Sequence, residues 1–411
     1  MRVMFTVSSW PTHYASLVPL GWALQAAGHE VRVLCAPSQT DSVAHAGLTP
    51  VPVLDGLDVP QWLRLQYYEE ARQGIWPYPW LPPHPVTGED MAALDEFDMA
   101  EYRATTGAEQ AARAARGFDA ALALAREWAP HLVLHDPVSL EGLLAARVLG
   151  VPSALCLWGP VGPHEPEHMR VVPDDHSGSF ARHGLGAFHL GMIERVVDPC
   201  PATLEPKAEA PRLPVRYVPY NGGGHAPDVS LLSAPPGPGA RPRILLTWST
   251  ALSMISGPRS YALPGLVRAL EGVGCELLVT ATARDLAALG PVPDSVRVLE
   301  RAPLRLLAPA CDLIVHHGGS GSTLTSLWAG VPQLFLTFAS EQAATATRVA
   351  TAGAARHLPG HQADPATVRA AVTELLQDTS YRRSATALRE EMFSRPSPAE
   401  LVTTLEALAA G

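Results

Sequence analysis

The chain has 411 residues, 47% hydrophobic and 17% charged, enough apolar material for more than one core and far from a disordered composition. Its formal net charge of −10 argues against a broad electrostatic footprint for nucleic acid. The length alone predicts two or three domains.

The opening MRVMFTVSSWPTH lacks the long apolar region and small-residue cleavage site of a secretory signal. No run approaches the roughly 18 apolar residues of a membrane-spanning helix. Cys35, Cys156, Cys200, Cys275 and Cys311 are scattered and have no metal-site spacing. All but Cys200 border or lie within apolar runs. The expectation is reduced, buried thiols in a cytoplasmic protein.

RVMFTV reads as a buried strand, followed by the loop SSWPTHYAS. Leu17, Leu20, Leu24 and Ala27 then recur at helical spacing, and Gly28 ends that helix. EVRVLCAP is the next strand, so a βαβ unit and a parallel sheet are predicted. The segment from about Val53 to Gly117 is less regular and rich in Trp, Tyr and acidic groups, which predicts a binding loop or lid. Strand–helix–strand returns at HLVLHD, SLEGLLAARVLG and VPSALCLWG. LSAPPGPGAR is the linker candidate. The pattern restarts after it with PRILLTWST, ALPGLVRALEGVG, CELLVTAT, SVRVLERAP and CDLIVHHGG. The fold class is therefore α/β, with two doubly wound Rossmann-like domains facing a central cleft. We place the first domain at 1–230, the linker at 231–240, the second domain at 241–395 and a C-terminal helix at 396–411 that packs back on the first domain.

The stretch HHGGSGSTLTSLWAG joins a strand, a glycine turn and a helix start. Free N–H groups and the positive end of the helix dipole make such a turn an anion site. It is not a P-loop, because no Gly-Lys-Ser/Thr follows, and it lacks the G-x-G-x-x-G spacing. A bare glycine turn also serves as an ordinary tight connection; the paired histidines and the Ser/Thr flank favour a diphosphate.

HHGGSGSTLTSLWAGVPQLFLTFASEQ resembles the nucleotide-sugar signature of the GT-B natural-product glycosyltransferases. THYASLVPLGWALQAAGHEVRV resembles that family's opening. VRYVPYNGGG is similar to the subset that transfers deoxysugars to macrolides and aromatic polyketides. The resemblance implies that His317 contacts the diphosphate, with Gly319, Gly321, Ser322 and Ser249 as further donors. It implies sugar contacts at Glu341 and Gln342, and base contacts at Arg301, Ala302 and Leu304. Three departures stand out: Glu341 where Asp is commoner, Thr345 where Asn is frequent, and Trp248 where Gly is usual. The base segment has no tryptophan, unlike the plant relatives, which implies thymine rather than uracil.

The chemistry needs a base to take the acceptor's proton, and a histidine suits it. His13 follows the first strand and matches the family's catalytic histidine. Asp136, ending HLVLHD, matches its carboxylate partner. The insertion QWLRLQYYEEARQGIWPYPWLPP is aromatic enough to line an apolar acceptor pocket on the first domain, with Trp158 nearby; the other reading of these aromatics is ordinary core or lid packing. The resemblance thus implies an inverting, metal-independent transferase of a dTDP-deoxysugar to a hydroxyl, or carbon, of a polyketide-type acceptor in antibiotic biosynthesis. No cofactor is expected beyond dTDP-sugar as co-substrate, and no metal; the adjacent acids Asp174 and Asp175 lie in an irregular stretch. Members of the subset also dock an auxiliary protein resembling a cytochrome P450, and a homodimer is the other partner considered. The competing readings are a non-catalytic homologue that supports another transferase, and a nucleotide-sugar epimerase of the same architecture.

Overall fold

The computed structural model describes residues 1–54, 57–166, 169, 171–233, 241–249 and 251–411. Seven strands form the first sheet: β1 (Arg2–Thr6), β2 (Glu30–Leu34), β3 (Thr49–Val51), β4 (Leu132–His135), β5 (Ser153–Cys156), β6 (Val196–Asp198) and β7 (Arg212–Pro214). Their order is β3-β2-β1-β4-β5-β6-β7, and each pairing is parallel. Six strands form the second: β8 (Arg243–Thr247), β9 (Glu276–Ala281), β10 (Val296–Glu300), β11 (Leu313–His316), β12 (Gln333–Thr337) and β13 (Ala355–Pro359). Their order is β10-β9-β8-β11-β12-β13, again all parallel.

A parallel sheet needs cover on both faces, so its central strands read as unbroken apolar runs. Strands β4, β5, β11 and β12 are buried at every position. Edge strand β10 instead turns Arg297 and Glu300 outward, which blunts the exposed backbone. Helix Val18–Ala26 carries Pro19 in its first turn, and Gly28 at φ 84° reverses the chain into β2. Helix Pro398–Ala410 starts on a Ser397–Glu400 capping box. It buries Leu401, Val402 and Leu405 in the core of the first sheet, alongside Leu20 and Leu24.

The segment read as irregular contains two helices. Helix Val59–Arg72 is capped by Asp58, whose side chain accepts from Gln61 N at 3.0 Å. Helix Met99–Trp128 begins inside the segment, capped by Asp98. Its central turns are Ala-rich and charged, so good intrinsic propensity operates there with little apolar periodicity to announce it. Met99 is buried at its start, with Tyr68, Met91 and Phe97, and burial resumes only at Gly117 and Phe118.

Much of the aromatic insertion packs as core, while Trp62, Leu63 and Tyr67 also line the cavity. Tyr67 is buried in the core of the second domain, and Trp76 and Trp80 pack against that core. The Tyr78 hydroxyl donates to Thr337 Oγ1 at 3.3 Å. Arg64 donates to the Met254 carbonyl, on helix Ala251–Ser256 of the second domain. The insertion is thus largely a brace between domains, with only part of one helix facing the cleft. Elsewhere Arg348 holds Glu165 at 2.7 Å, Arg395 holds Glu205 at 2.6 Å, and Tyr217 Oη lies 3.1 Å from Thr325 Oγ1. Of the linker segment, Leu231 is already buried with Leu245, Leu278 and Leu307, and residues 234–240 lie outside the described residues.

Leu405 is fully buried, so Leu405→Ala should destabilise the chain by about 2–5 kcal/mol. A lowered urea midpoint checks this; an unchanged midpoint would mean the terminal helix contributes nothing to the first domain.

Candidate active site

In a doubly wound sheet, connections leave the two central strands in opposite directions and open a crevice at their carboxyl ends. Here those pairs are β1/β4 and β8/β11. One cavity of about 1040 Å³ is lined by residues that follow β1, β8 and β11. His13, His317, Gly319, Gly321, Ser322, Ser249, Glu341, Gln342, Arg301, Ala302 and Leu304 all line it. Asp136, the expected partner of His13, does not; it is fully buried behind His13.

Thr6 of β1 pairs with His135 of β4, which brings the loops after the two strands together. Asp136 Oδ1 accepts from the N–H groups of Val138 and Ser139, at 2.8 and 2.7 Å, and Oδ2 accepts from Ser8 N–H at 2.7 Å. Burial nevertheless raises its pKa to about 6, against those bonds. His13 Nδ1 lies 3.7 Å from Asp136 Oδ2 but 2.6 Å from Ser8 Oγ. The hydroxyl of Ser8 therefore stands between the imidazole and the carboxylate. The His13 ring stacks on Trp158, with centroids 3.9 Å apart and planes 14° from parallel. Burial holds its pKa down at about 3, so the ring is neutral at physiological pH. With Nδ1 tied to Ser8, Nε2 is the nitrogen left to act on a ligand. His135 points away, into the fully buried interior.

On the facing wall, helix Ser320–Ala329 has Gly319 at its N-cap and no side-chain cap, so its first N–H groups are open to the cavity. Gly318 sits at φ 98°, where a β-carbon would be strained. A β-carbon on Gly319 would come within 2.8 Å of His317 Nε2, so the histidine lies directly over the turn. His317 Nδ1 is buried without a partner, and burial lowers its pKa to about 4. His316 is a strut: Nδ1 accepts from Gly318 N–H at 3.1 Å, and Nε2 lies 2.8 Å from Gln333 Oε1. Trp248, where a glycine was expected, lines the cavity, packs edge-on to His317 with ring centroids 5.6 Å apart, and is anchored in the core by donating to the Ser260 carbonyl at 2.9 Å. Ser249 Oγ accepts from Ala251 N–H at 3.1 Å and keeps its own proton to donate.

Arg301 has φ 49°, in the left-handed region, and its N–H bonds the Ala281 carbonyl at 2.9 Å. Gly224 packs on the Arg301 carbonyl so closely that a β-carbon would lie 1.8 Å from it. The Ala302 carbonyl accepts from Thr280 Oγ1, and Leu304 is buried at the start of a short helix. The VRYVPYNGGG segment thus reaches across the domains. Asn221 bonds both Thr325 Oγ1, at 3.0 Å, and Arg305 N–H, at 2.9 Å.

The far end of the cavity is acidic. Glu341 lies in the first turn of helix Ser340–Thr351, and burial raises its pKa to about 7. Gln342 Oε1 accepts from Phe338 N–H at 3.2 Å, which leaves its amide N–H groups for a ligand. Thr345 does not line the cavity; it is fully buried and its hydroxyl lacks a protein partner. Sequence reasoning missed Ser8, Tyr67, Glu70 and Asn221. Glu70 is 1% exposed, reaches in from helix Val59–Arg72, and accepts from Ser340 Oγ at 2.5 Å. Its presence in a helix of otherwise ordinary amphipathic pattern gave no local signal. Asp175, one of the adjacent acids, binds the N–H groups of Ser177 and Phe180. Among the described residues no group of three His, Cys, Asp or Glu side chains has the geometry to hold a metal ion.

Comparison with known proteins follows the same outline. Two family profiles match: "Erythromycin biosynthesis protein CIII-like, N-terminal domain" over residues 22–249, and the corresponding C-terminal domain over residues 265–408. Tylactone mycaminosyltransferase of Streptomyces fradiae is 34% identical, over 100% of this chain and 93% of its own. The 10-deoxymethynolide desosaminyltransferase of Streptomyces venezuelae is also 34% identical, over 100% and 97%. Among solved structures, spinosyn rhamnosyltransferase SpnG complexed with thymidine diphosphate has a TM-score of 0.76 at 28% identity, covering 99% of this chain and 100% of that one. Glycosyltransferase VinC in complex with dTDP has a TM-score of 0.74 at 26% identity, with 100% of both chains covered.

Burial raises the Glu70 pKa from its ordinary 4.5 to about 7. The folded chain then holds that proton more tightly than the unfolded chain, so this residue's contribution to stability is lost as pH rises from 4.5 through about 7. Glu70→Gln removes that loss and can still accept from Ser340. Its melting temperature should gain on wild type between about pH 5 and pH 8; parallel curves would show that Glu70 is not buried in this way.

Proposed function

This chain belongs to the erythromycin CIII-like family and is a GT-B glycosyltransferase, and from that premise we propose that it moves a deoxysugar from a dTDP-sugar to a hydroxyl of a polyketide-type acceptor, with inversion at the anomeric carbon. The observation that carries the proposal is the arrangement around one cavity: a neutral histidine at one wall faces an open helix N-terminus and an unpartnered histidine at the other. The acceptors in the names of the relatives, among them tylactone and 10-deoxymethynolide, support the acceptor class. The dTDP bound in the structural neighbours supports the donor.

His13 Nε2 takes the acceptor's hydroxyl proton as the oxygen attacks the anomeric carbon. Ser8 and Asp136 hold the proton on Nδ1 and stabilise the imidazolium that forms. The bond from the anomeric carbon to the diphosphate breaks, and its electron pair leaves with the diphosphate. His317, Ser249 and the N–H groups of helix Ser320–Ala329 receive the growing negative charge. Because the nucleophile attacks directly, opposite the leaving group, the configuration inverts.

His317→Ala should weaken dTDP binding by about 1.5–3 kcal/mol, the size of a hydrogen bond to a charged group, in isothermal titration. His13→Ala should lower kcat by about 10²–10⁴-fold while dTDP still binds. Normal turnover in the His13 variant would remove it from the role of base. NMR of the anomeric centre before and after transfer tests inversion; retention would refute the direct displacement.

A further inference from the structure

The mechanism gives no role to the loop that carries Trp158. The indole stacks on the His13 ring, yet the loop that presents it, from Trp158 to Glu165, forms neither helix nor strand. It contains Gly159, Pro160, Gly162 and Pro163. The prolines have no N–H to donate, so the backbone offers fewer bonds of its own to fix the loop's shape. Support comes from the other domain. Arg348, on helix Ser340–Thr351, donates to the Pro160 carbonyl from one end of its fork. From the other end it donates to both carboxylate oxygens of Glu165, at 2.8 and 2.7 Å. Glu165 Oε1 also accepts from Gly162 N–H at 3.1 Å. The Glu165 side chain is 2% exposed, so this pair is held out of water by a planar, charged fork of fixed geometry.

An ion pair between domains ordinarily does no more than hold them together. Arg395 and Glu205 fit that description, since neither they nor their sequence neighbours line the cavity. Arg348 differs in what it grips. Pro160 stands two residues from the ring that rests on His13, and Gly159 between them lies against Ser320 with no room for a β-carbon. The indole is thus placed from the second domain, although it belongs to the first. The helix that carries Arg348 also has Ser340, Glu341 and Gln342 of its first turn on the cavity wall. Arg348 follows Glu341 by seven residues, two turns or about 10 Å along the same face. A helix is rigid over that length, so the cavity wall and the grip on the loop move as one body.

We propose that Arg348 is a positioning residue for His13: by holding Pro160 and Glu165 it fixes the Trp158 indole against the imidazole and so aims Nε2 into the cavity. The catalytic consequence rests on the reading of His13 as the base; the placement of the ring does not.

Diethyl pyrocarbonate acylates neutral imidazoles that solvent reaches, and mass spectrometry of the digested protein reads each histidine separately. At pH 7 Arg348→Ala should raise the His13 labelling rate about fivefold or more, while the fully buried His135 and His316 stay unlabelled and the dTDP Kd stays within about threefold of wild type. Trp158→Ala should raise the His13 rate similarly, and adding Arg348→Ala to it should change that rate by less than about twofold, because both act through one contact. Removing Arg348 alone strands the buried Glu165 carboxylate, so Arg348→Met with Glu165→Gln is the second variant, and it should show the same rise. Unchanged His13 labelling in both Arg348 variants overturns the proposal. So does a rise that spreads to His135 and His316, which would report general loosening, or one that multiplies with Trp158→Ala. With tylactone and a dTDP-6-deoxyhexose as probes, kcat should fall about 10–100-fold in Arg348→Ala with the donor KM within about threefold. Turnover lost in His13→Ala but kept in Arg348→Ala overturns the positioning role and leaves the base in place. Normal turnover in His13→Ala removes the base, and with it the catalytic half of this inference.

Discussion

Two parallel sheets, each wound outward from a central strand pair, impose the geometry on which the site depends. The winding leaves a gap at the carboxyl ends of β1 and β4 and another at those of β8 and β11. Every loop that leaves these strands must begin in the gap, so its first residues face the cleft whatever their identity. His13, Asp136, Ser249 and His317 all stand in such loops. Chemistry at these positions costs the fold little, because the strand ends were never going to be covered by the domain's own helices. The two gaps face one another, so His13 on one wall and His317 on the other come to line one cavity without any element crossing the interior.

The same cleft collects polar groups that the protein does not satisfy by itself. His317 Nδ1, Tyr67 Oη and one oxygen of Glu70 are buried and unpartnered, and all three residues line the cavity. Native interiors rarely leave such groups unpaired, since each costs about 1–3 kcal/mol. Other unpartnered atoms, such as Ser153 Oγ and Asp285 Oδ1, lie away from the cavity; these three differ in facing a space that a ligand can enter. His316 makes the contrast: adjacent in sequence to His317, it is satisfied on both ring nitrogens and serves the turn.

Both sheets were legible because a parallel strand buried on two faces is a continuous apolar run, and runs such as HLVLHD and CDLIVHH are unmistakable. The strand–glycine–helix turn was legible for a local reason also: strand, glycines and helix start are contiguous in the chain. What escaped was non-local. Ser8 matters because strand pairing sets it between two loops distant in sequence, and SSWP carries no sign of that. Glu70 looks like any solvated carboxylate in QYYEEARQG; only the docking of its helix on the second domain makes it a buried one. Trp248 breaks the expected glycine because its indole has a place in the core, a fact set by residues around Ser260. The insertion seemed irregular because Ala-rich and charged turns hold helix by propensity and leave no apolar stripe to read.

Helix Val59–Arg72 also changes how the two domains relate. It belongs in sequence to the first domain, yet Tyr67 packs in the core of the second, and Arg64 and Glu70 bond Met254 and Ser340 there. Across the cleft, Gly159 lies so near Ser320 that a β-carbon would come within 2.7 Å of the serine β-carbon. The stacking partner of His13, Trp158, immediately precedes that glycine. The wall that carries His13 is therefore in contact with the N-terminus of helix Ser320–Ala329, through one residue without a side chain. Any opening of the domains would separate His13 from His317 and draw Glu70 away from Ser340 in the same movement. The two walls of the cavity are in this way assembled by the same contacts that join the domains, and helix Val59–Arg72 supplies part of both.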